Sequence, residues 1–389
     1  MSLVKDRFPV TAMDYRRLAQ RRLPHFLFDY IDGGANEEWT AAANVADFQK
    51  IRIRQRVLCD VSHIDTSTTL AGEPARMPLI LGPVGMAGLM ARRGEVQAMR
   101  AAHEAGVPFT LSTVGTCSVD EVRAATVKPF WFQLYMLRDR GVVRALLERA
   151  RAAGCTTLVF TVDLPVAGLR HRDQRNGLLD DGLAGRLAKA WQIALRPGWA
   201  LDVGLRGRPH HFGSLNGLVS TPTDLNAFKA WLDGQFDASV TWKDIAWLRE
   251  IWTGKLLLKG LLEAEDAKPA VEVGVDGIIV SNHGGRQLDS VASTISKLPG
   301  MVQAVGGQVE VYLDGGVRSG IDVFKAVAMG ARGVLLGRAW VWALAGAGAS
   351  GLGNLLTTMR RELEVAMALS GVNTLAEITR DQVDVTETR

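Results

Sequence analysis

Gly277-Ile278-Ile279-Val280-Ser281-Asn282-His283-Gly284-Gly285-Arg286-Gln287-Leu288-Asp289 joins an apolar run to a loop that carries a base and a cation. The first four residues read as a buried strand, and the polar string begins where that strand should end. His283 titrates near neutrality, and Arg286, three residues on, offers a planar fork of donors suited to a carboxylate. Gly284 and Gly285 let the backbone turn sharply between them. Alone, either side chain reads as an ordinary loop residue. Together at a strand end they read as a base beside an anion holder.

Seven further apolar runs flank this one at spacings that leave room for crossover helices. They are Pro78–Leu81, Phe109–Ser112, Trp131–Tyr135, Thr157–Thr161, Leu256–Lys259, Val309–Asp314 and Gly333–Leu336, with Gly277–Ser281 sixth of the eight. The alternation predicts an α/β TIM (β/α)8 barrel, one domain over residues 1–389, with its chemistry at the C-terminal strand ends. Those ends carry Gly82-Pro83-Val84-Gly85, Ser112, Gln133 with Tyr135, Thr161 with Asp163, Lys259, Ser281 with His283, Asp314-Gly315-Gly316 and Gly337-Arg338. Residues 1–77 read as an N-terminal helical segment covering the closed end. Residues 164–239 read as an insertion between strands four and five, far longer than a crossover needs.

Strands seven and eight lead into Asp314-Gly315-Gly316-Val317-Arg318-Ser319-Gly320 and Gly337-Arg338. Glycines let backbone N–H groups approach a phosphate, and a helix N-terminus and two arginines match its charge. Lys259 ends an apolar strand, where a buried ammonium needs a negative partner. No Gly-x-Gly-x-x-Gly turn opens a Rossmann unit, which disfavours nicotinamide. The glycine-arginine loops alone also suit a phosphate-binding barrel isomerase or a non-catalytic ligand-binding barrel.

The Ser281–Asp289 string closely resembles the signature of the FMN-dependent 2-hydroxy acid dehydrogenase and oxidase family, and the resemblance extends from Tyr30 to Met367-Ala368-Leu369-Ser370-Gly371. It implies FMN as cofactor and no metal. By that resemblance His283 is the base, Asp163 orients it, Arg286 and Arg170 hold the substrate carboxylate, and Tyr30 and Tyr135 donate hydrogen bonds. Pro83, Val84, Gly85, Ser112, Gln133, Thr161 and Lys259 are placed about the flavin ring and ribityl chain, and Asp314, Gly315, Gly316, Arg318, Gly337 and Arg338 about the ribityl and phosphate groups. The implied substrate is a small L-2-hydroxy acid.

Within the family, Gly82–Met86, Ala91-Arg92-Arg93-Gly94-Glu95-Val96-Gln97 and Trp131–Tyr135 look most like bacterial L-lactate dehydrogenases of the respiratory chain, with mandelate dehydrogenases as the alternative. Gly85 and Val114 stand where many oxidases have alanine and tryptophan, which weakens an oxygen-using assignment. No cytochrome-like segment precedes the barrel, so the expected acceptor is external, a quinone or another respiratory carrier. Gly185–Arg196 alternates basic and apolar residues at helical spacing and is followed by Trp199, Arg206 and Arg208. This pattern suits a helix in a bilayer interface or one packed on the barrel. The resemblance favours a peripheral place on anionic lipid at the cytoplasmic face of the bacterial inner membrane, and a homo-oligomer, a tetramer in the family.

Bulk properties fit this reading. The 389 residues are 47% apolar and 22% charged, an ordinary globular balance. A net charge of +4 argues against a nucleic-acid partner. Cys59, Cys117 and Cys155 match no metal spacing and point to a reducing compartment. The polar stretch Met1–Asp14 is unlike a signal peptide, and no apolar run reaches the ~20 residues of a membrane span.

Overall fold

The structure is a computed structural model that describes residues 8–180, 182–218 and 234–386. Its strands, in chain order, are β1 (Ile51–Ile53), β2 (Thr68–Leu70), β3 (Glu73–Ala75), β4 (Leu79–Leu81), β5 (Thr110–Ser112), β6 (Phe130–Leu134), β7 (Cys155–Thr161), β8 (Lys255–Leu261), β9 (Gly277–Val280), β10 (Glu310–Leu313), β11 (Gly333–Leu336) and β12 (Val383–Val385). Strands β4 to β11 form one parallel sheet in the order β4-β11-β10-β9-β8-β7-β6-β5, and a bridge between Leu81 and Phe109 joins its edges. All eight expected barrel strands are present, with ends that differ from the expected ones by a residue or two.

Alternation along each strand divides the core. Ile80, Trp131, Val159, Leu257, Ile279, Tyr312 and Leu335 meet inside the barrel, while neighbours such as Leu79 and Leu81 face the helices. Both faces are therefore apolar, as parallel strands require.

The N-terminal segment departs from expectation. The hairpin β2–β3, not a helix, closes the N-terminal end of the barrel. Leu70, Ala71 and Ala75 join the interior cluster, and the Ala71 N–H donates to Tyr312 Oη at 2.8 Å. Glu73 accepts from Trp131 Nε1 at 3.0 Å and from the Thr156 hydroxyl, both near the starts of barrel strands. A three-residue strand containing Pro74 carries too little periodicity to be read in advance. The helix His25–Asp32 lies instead at the opposite mouth, because the Arg338 guanidinium binds the Asp32 carbonyl at 2.9 Å and the Gly33 carbonyl at 2.8 Å.

In the insertion, Leu183–Ala194 forms a helix, followed by a short π-helical stretch at Ala200–Leu205. Part of the expected insertion, residues 219–233, lies outside the described residues. Trp199 does not face outward as expected. It is 6% exposed, and its indole N–H donates to the Leu89 carbonyl at 2.8 Å, which pins the insertion to the barrel. Gln192, accepting from the Phe26 N–H at 2.8 Å, and Asp202, paired with Arg22, add two further ties.

Candidate active site

At the C-terminal end of the barrel, a cavity of about 480 Å3 receives Tyr30, Gly85, Tyr135, Arg170, Lys259, His283, Arg286, Asp314, Arg318 and Arg338. That volume is in the range of cofactor and small-molecule sites.

Two loops build the reacting end. His283 Nδ1 lies 2.8 Å from Asp163 Oδ1. With Asp163 accepting there, Nδ1 carries the proton and Nε2 is left as a base. His283 has φ of +56°, a conformation uncommon in residues with a side chain, and its N–H donates to Ser281 Oγ at 3.0 Å. Burial lowers the His283 pKa, Asp163 pulls it back, and Lys259 and Arg286 push it down again, so the imidazole titrates below its ordinary range and is neutral at pH 7. Burial works to raise the Asp163 pKa, but His283 and Lys259 outweigh it and keep that carboxyl below its usual value. The Tyr135 phenol is pushed up by burial, then by Asp163 and Tyr30, and stays a donor.

Arg286 donates to the Gly33 carbonyl at 2.8 Å, and its guanidinium carbon lies 5.3 Å from the Tyr30 ring centroid. Arg170 stands 5.4 Å from the same ring. Burial, then Arg170 and Arg338, brings the Arg286 pKa down to about 9. Two crowded cations beside one phenol make a place that an anionic ligand would relieve.

Lys259 Nζ lies 3.1 Å from Asp314 Oδ2 and donates to Ser281 Oγ at 3.1 Å. Burial works to lower its pKa, but Asp314 and Asp163 outweigh it and hold it charged. Ser112, Gln133 and Thr161 do not line the cavity. They form a buried chain in which Ser112 Oγ donates to Gln133 Oε1 at 3.0 Å and Gln133 Nε2 donates to Thr161 Oγ1 at 3.1 Å.

The phosphate end differs in detail from the sequence reading. The N-terminus of the helix Gly320–Ala328 is already capped by carboxylates: Asp322 Oδ2 accepts from the N–H groups of Arg318 and Ser319, and Glu362 from that of Gly320. It has little left for a phosphate. The helix Arg338–Ser370, by contrast, has no side-chain cap at its N-terminus. Arg338 spends three of its five N–H donors on the carbonyls of Asp32, Gly33 and Gly284, which leaves two. Burial brings both Arg318 and Arg338 down to about 10, with Arg318 adding to the effect on Arg338.

These residues fit FMN. Asp314 Oδ1 is buried with no hydrogen-bond partner among the described residues, as an oxygen awaiting a ribityl hydroxyl would be. A Cβ built on Gly337 meets nothing within 4 Å, so space for a ligand lies against that backbone. Lys259 and the two arginines offer charge for a reduced ring and a phosphate. No group of His, Cys, Asp and Glu able to hold a metal occurs among the described residues.

Gln287, quoted in the opening string without a role, proves structural to the site. Its Nε2 donates to the carbonyls of Asp163 at 3.0 Å and Val166 at 2.9 Å. Gly168 lets the two loops touch, since a Cβ there would lie 2.4 Å from the Arg286 carbonyl oxygen. Asp173, paired with Arg170, also went unread.

A TIM barrel with a base and carboxylate pair, crowded arginines and a flavin cradle defines a flavin-dependent oxidoreductase. The chain belongs to the FMN-dependent dehydrogenase family, which matches it over residues 19–385. An L-lactate dehydrogenase of Caulobacter vibrioides is 54% identical over 365 residues, covering 94% of this chain and 95% of that protein. One from Yersinia pestis is 51% identical over 374 residues, covering 96% and 98%. Among solved structures, the monotopic membrane protein (S)-mandelate dehydrogenase superposes with a TM-score of 0.91 at 36% identity, covering 97% of this chain and all of that one. A mandelate oxidase gives 0.81 at 35%, covering 97% and 98%.

Proposed function

We propose that this enzyme oxidises L-lactate to pyruvate and passes the electrons to a quinone or another respiratory acceptor at a membrane surface. The observation that carries the chemistry is the 2.8 Å contact of His283 with Asp163 in a cavity that also receives Arg170 and Arg286. The arginines bind the substrate carboxylate, and the Tyr30 and Tyr135 phenols orient the acid and its hydroxyl. His283 takes one proton from the substrate at Nε2, and Asp163 stabilises the imidazolium that results. FMN, when bound, supplies the two-electron acceptor. Lys259 balances negative charge at the ring.

Lactate is favoured over mandelate by the relatives of higher identity, 51–54% against 36% for the mandelate dehydrogenase structure. Anaerobic mixing tests the choice: L-lactate should bleach the flavin faster than (S)-mandelate does. The reverse order would make this a mandelate dehydrogenase, and no bleaching by either would end the hydroxy-acid reading. Reoxidation by a quinone analogue but only slowly by oxygen would support the respiratory role.

A place on a membrane surface is supported by one edge of the helix Leu183–Ala194, and its assignment to the cytoplasmic face of the inner membrane rests on the family resemblance alone. Leu183, Leu187 and Trp191, spaced by four residues, are 61–75% exposed, and Leu195 continues the line. Such an edge beside basic residues suits an anionic lipid interface. No helix among the described residues is long and apolar enough to cross a membrane. The tetramer belongs to the same proposal, and light scattering in detergent would test it.

A further inference from the structure

Arg170 stands immediately before the short helix His171–Arg175, and Asp173 turns back onto it. Asp173 Oδ2 lies 3.0 Å from Arg170 Nε, and the Asp173 N–H donates to the Arg170 carbonyl at 3.1 Å. Asp173 is 1% exposed and borders the cavity. Its Oδ1 is buried with no hydrogen-bond partner among the described residues, so the carboxylate engages Arg170 and little else. Arg286 has no such partner: among the described residues it is held by the Gly33 carbonyl and forms no carboxylate ion pair.

The geometry of this contact matters. A carboxylate gripping Nε holds the guanidinium by its inner edge and leaves the terminal nitrogens, the fork that binds carboxylates, facing away. Arg170 also has to sit beside Arg286 against the Tyr30 ring, where the two cations repel. Without an anchor, a long side chain under that repulsion would swing outward and would have to be ordered again at each binding event.

We propose that Asp173 is the positioning residue that holds Arg170 ready for the substrate carboxylate. The inference rests on the assignment of Arg170 to the substrate, and the experiment separates the two. Oxalate binding is read from the flavin absorbance of the holoenzyme, and KM and kcat are measured with L-lactate. Asp173→Ala should weaken oxalate binding about tenfold or more, the scale of one lost ion-pair contact at a buried site, and should raise KM more than it lowers kcat. Asp173→Asn keeps an acceptor for the Nε–H and should recover most of the affinity. Asp173→Glu keeps the charge but displaces it by a methylene, and should bind oxalate poorly while retaining flavin. On an Arg170→Ala background, Asp173→Ala should change oxalate affinity less than about twofold, since the two act as one unit.

Wild-type affinity in Asp173→Ala or Asp173→Glu, or an equal loss in both backgrounds, overturns the role of Asp173 alone. Asparagine as poor as alanine does so too. Arg170→Ala with unchanged oxalate affinity overturns the substrate assignment itself, and the inference with it.

Discussion

Gln287 holds Asp163 from across the barrel mouth: its side-chain amide donates to the Asp163 carbonyl at 3.0 Å, although 124 residues separate the two. The same amide reaches Val166, so one side chain sets the spacing of the two loops that carry Asp163 and His283. The 2.8 Å contact between His283 and Asp163 depends on that spacing.

His283→Ala should keep its flavin, since the proposed phosphate and ring contacts are elsewhere, and should lose turnover by at least ~100-fold. Anaerobic flavin reduction by L-lactate in stopped flow checks this. Bleaching at the wild-type rate would remove His283 from the base role.

The pH dependence has a definite sign. The base must be neutral to accept a proton, and its pKa in the folded enzyme lies below the ordinary 6.5, so the acid limb of kcat/KM should fall below pH 6.5. Asp163→Asn removes the contact that raises the His283 pKa, so the limb should move to still lower pH while the rate falls by ~100-fold or more. A limb that moves upward would contradict the geometry.

Arg286→Lys keeps a charge but cannot reproduce a two-pronged grip, so lactate and oxalate should both bind more weakly and reduction should slow. Unaltered oxalate affinity would place Arg286 outside the substrate site.

Lys259→Met leaves Asp314 and Asp163 buried without their shared cation. Breaking a buried pair this way costs about 3–5 kcal/mol, so the melting temperature and flavin content should both drop. Unchanged thermal stability would mean that solvent or another group compensates.

Leu187→Glu with Trp191→Glu should abolish sedimentation with anionic vesicles while leaving flavin reduction by lactate unaltered, because both side chains point outward. Deleting the whole segment would be a poorer test. Gln192, Trp199 and Asp202 tie it to Phe26, Leu89 and Arg22, and the Tyr30 helix would move with them. Equal sedimentation of wild type and variant would sink the membrane role of this helix.

Legibility in the sequence followed the strength of the local signal. Eight buried strands stand out because both faces are apolar, and the residues at their ends could be named because barrels put chemistry there. Hairpin β2–β3 is too short to show a period, and the pairing of β1 with β12 joins residues over 300 positions apart. Trp199 looked interfacial because a tryptophan among arginines has the same composition whether it packs inward or outward. The Asp322 and Glu362 caps were hidden for a similar reason: carboxylates that take the N–H groups of Arg318, Ser319 and Gly320 leave no mark in the composition of the glycine-rich loop.

The way the N-terminal helices are held bears on the order in which the enzyme can be made. Asp32 and Gly33 meet Arg338, Asn44 exchanges amide hydrogen bonds with Asn282, Thr40 binds Asp289, and the Phe48 carbonyl receives Lys325. Every one of these partners is translated in the last third of the chain. The first segment to leave the ribosome can engage Gln192 and Asp202 through Phe26 and Arg22 midway through synthesis, but it completes its contacts only after Arg338 has emerged. A product lacking the C-terminal third would keep those earlier ties but lack the loops that carry His283, Asp314 and Arg338 to the cavity.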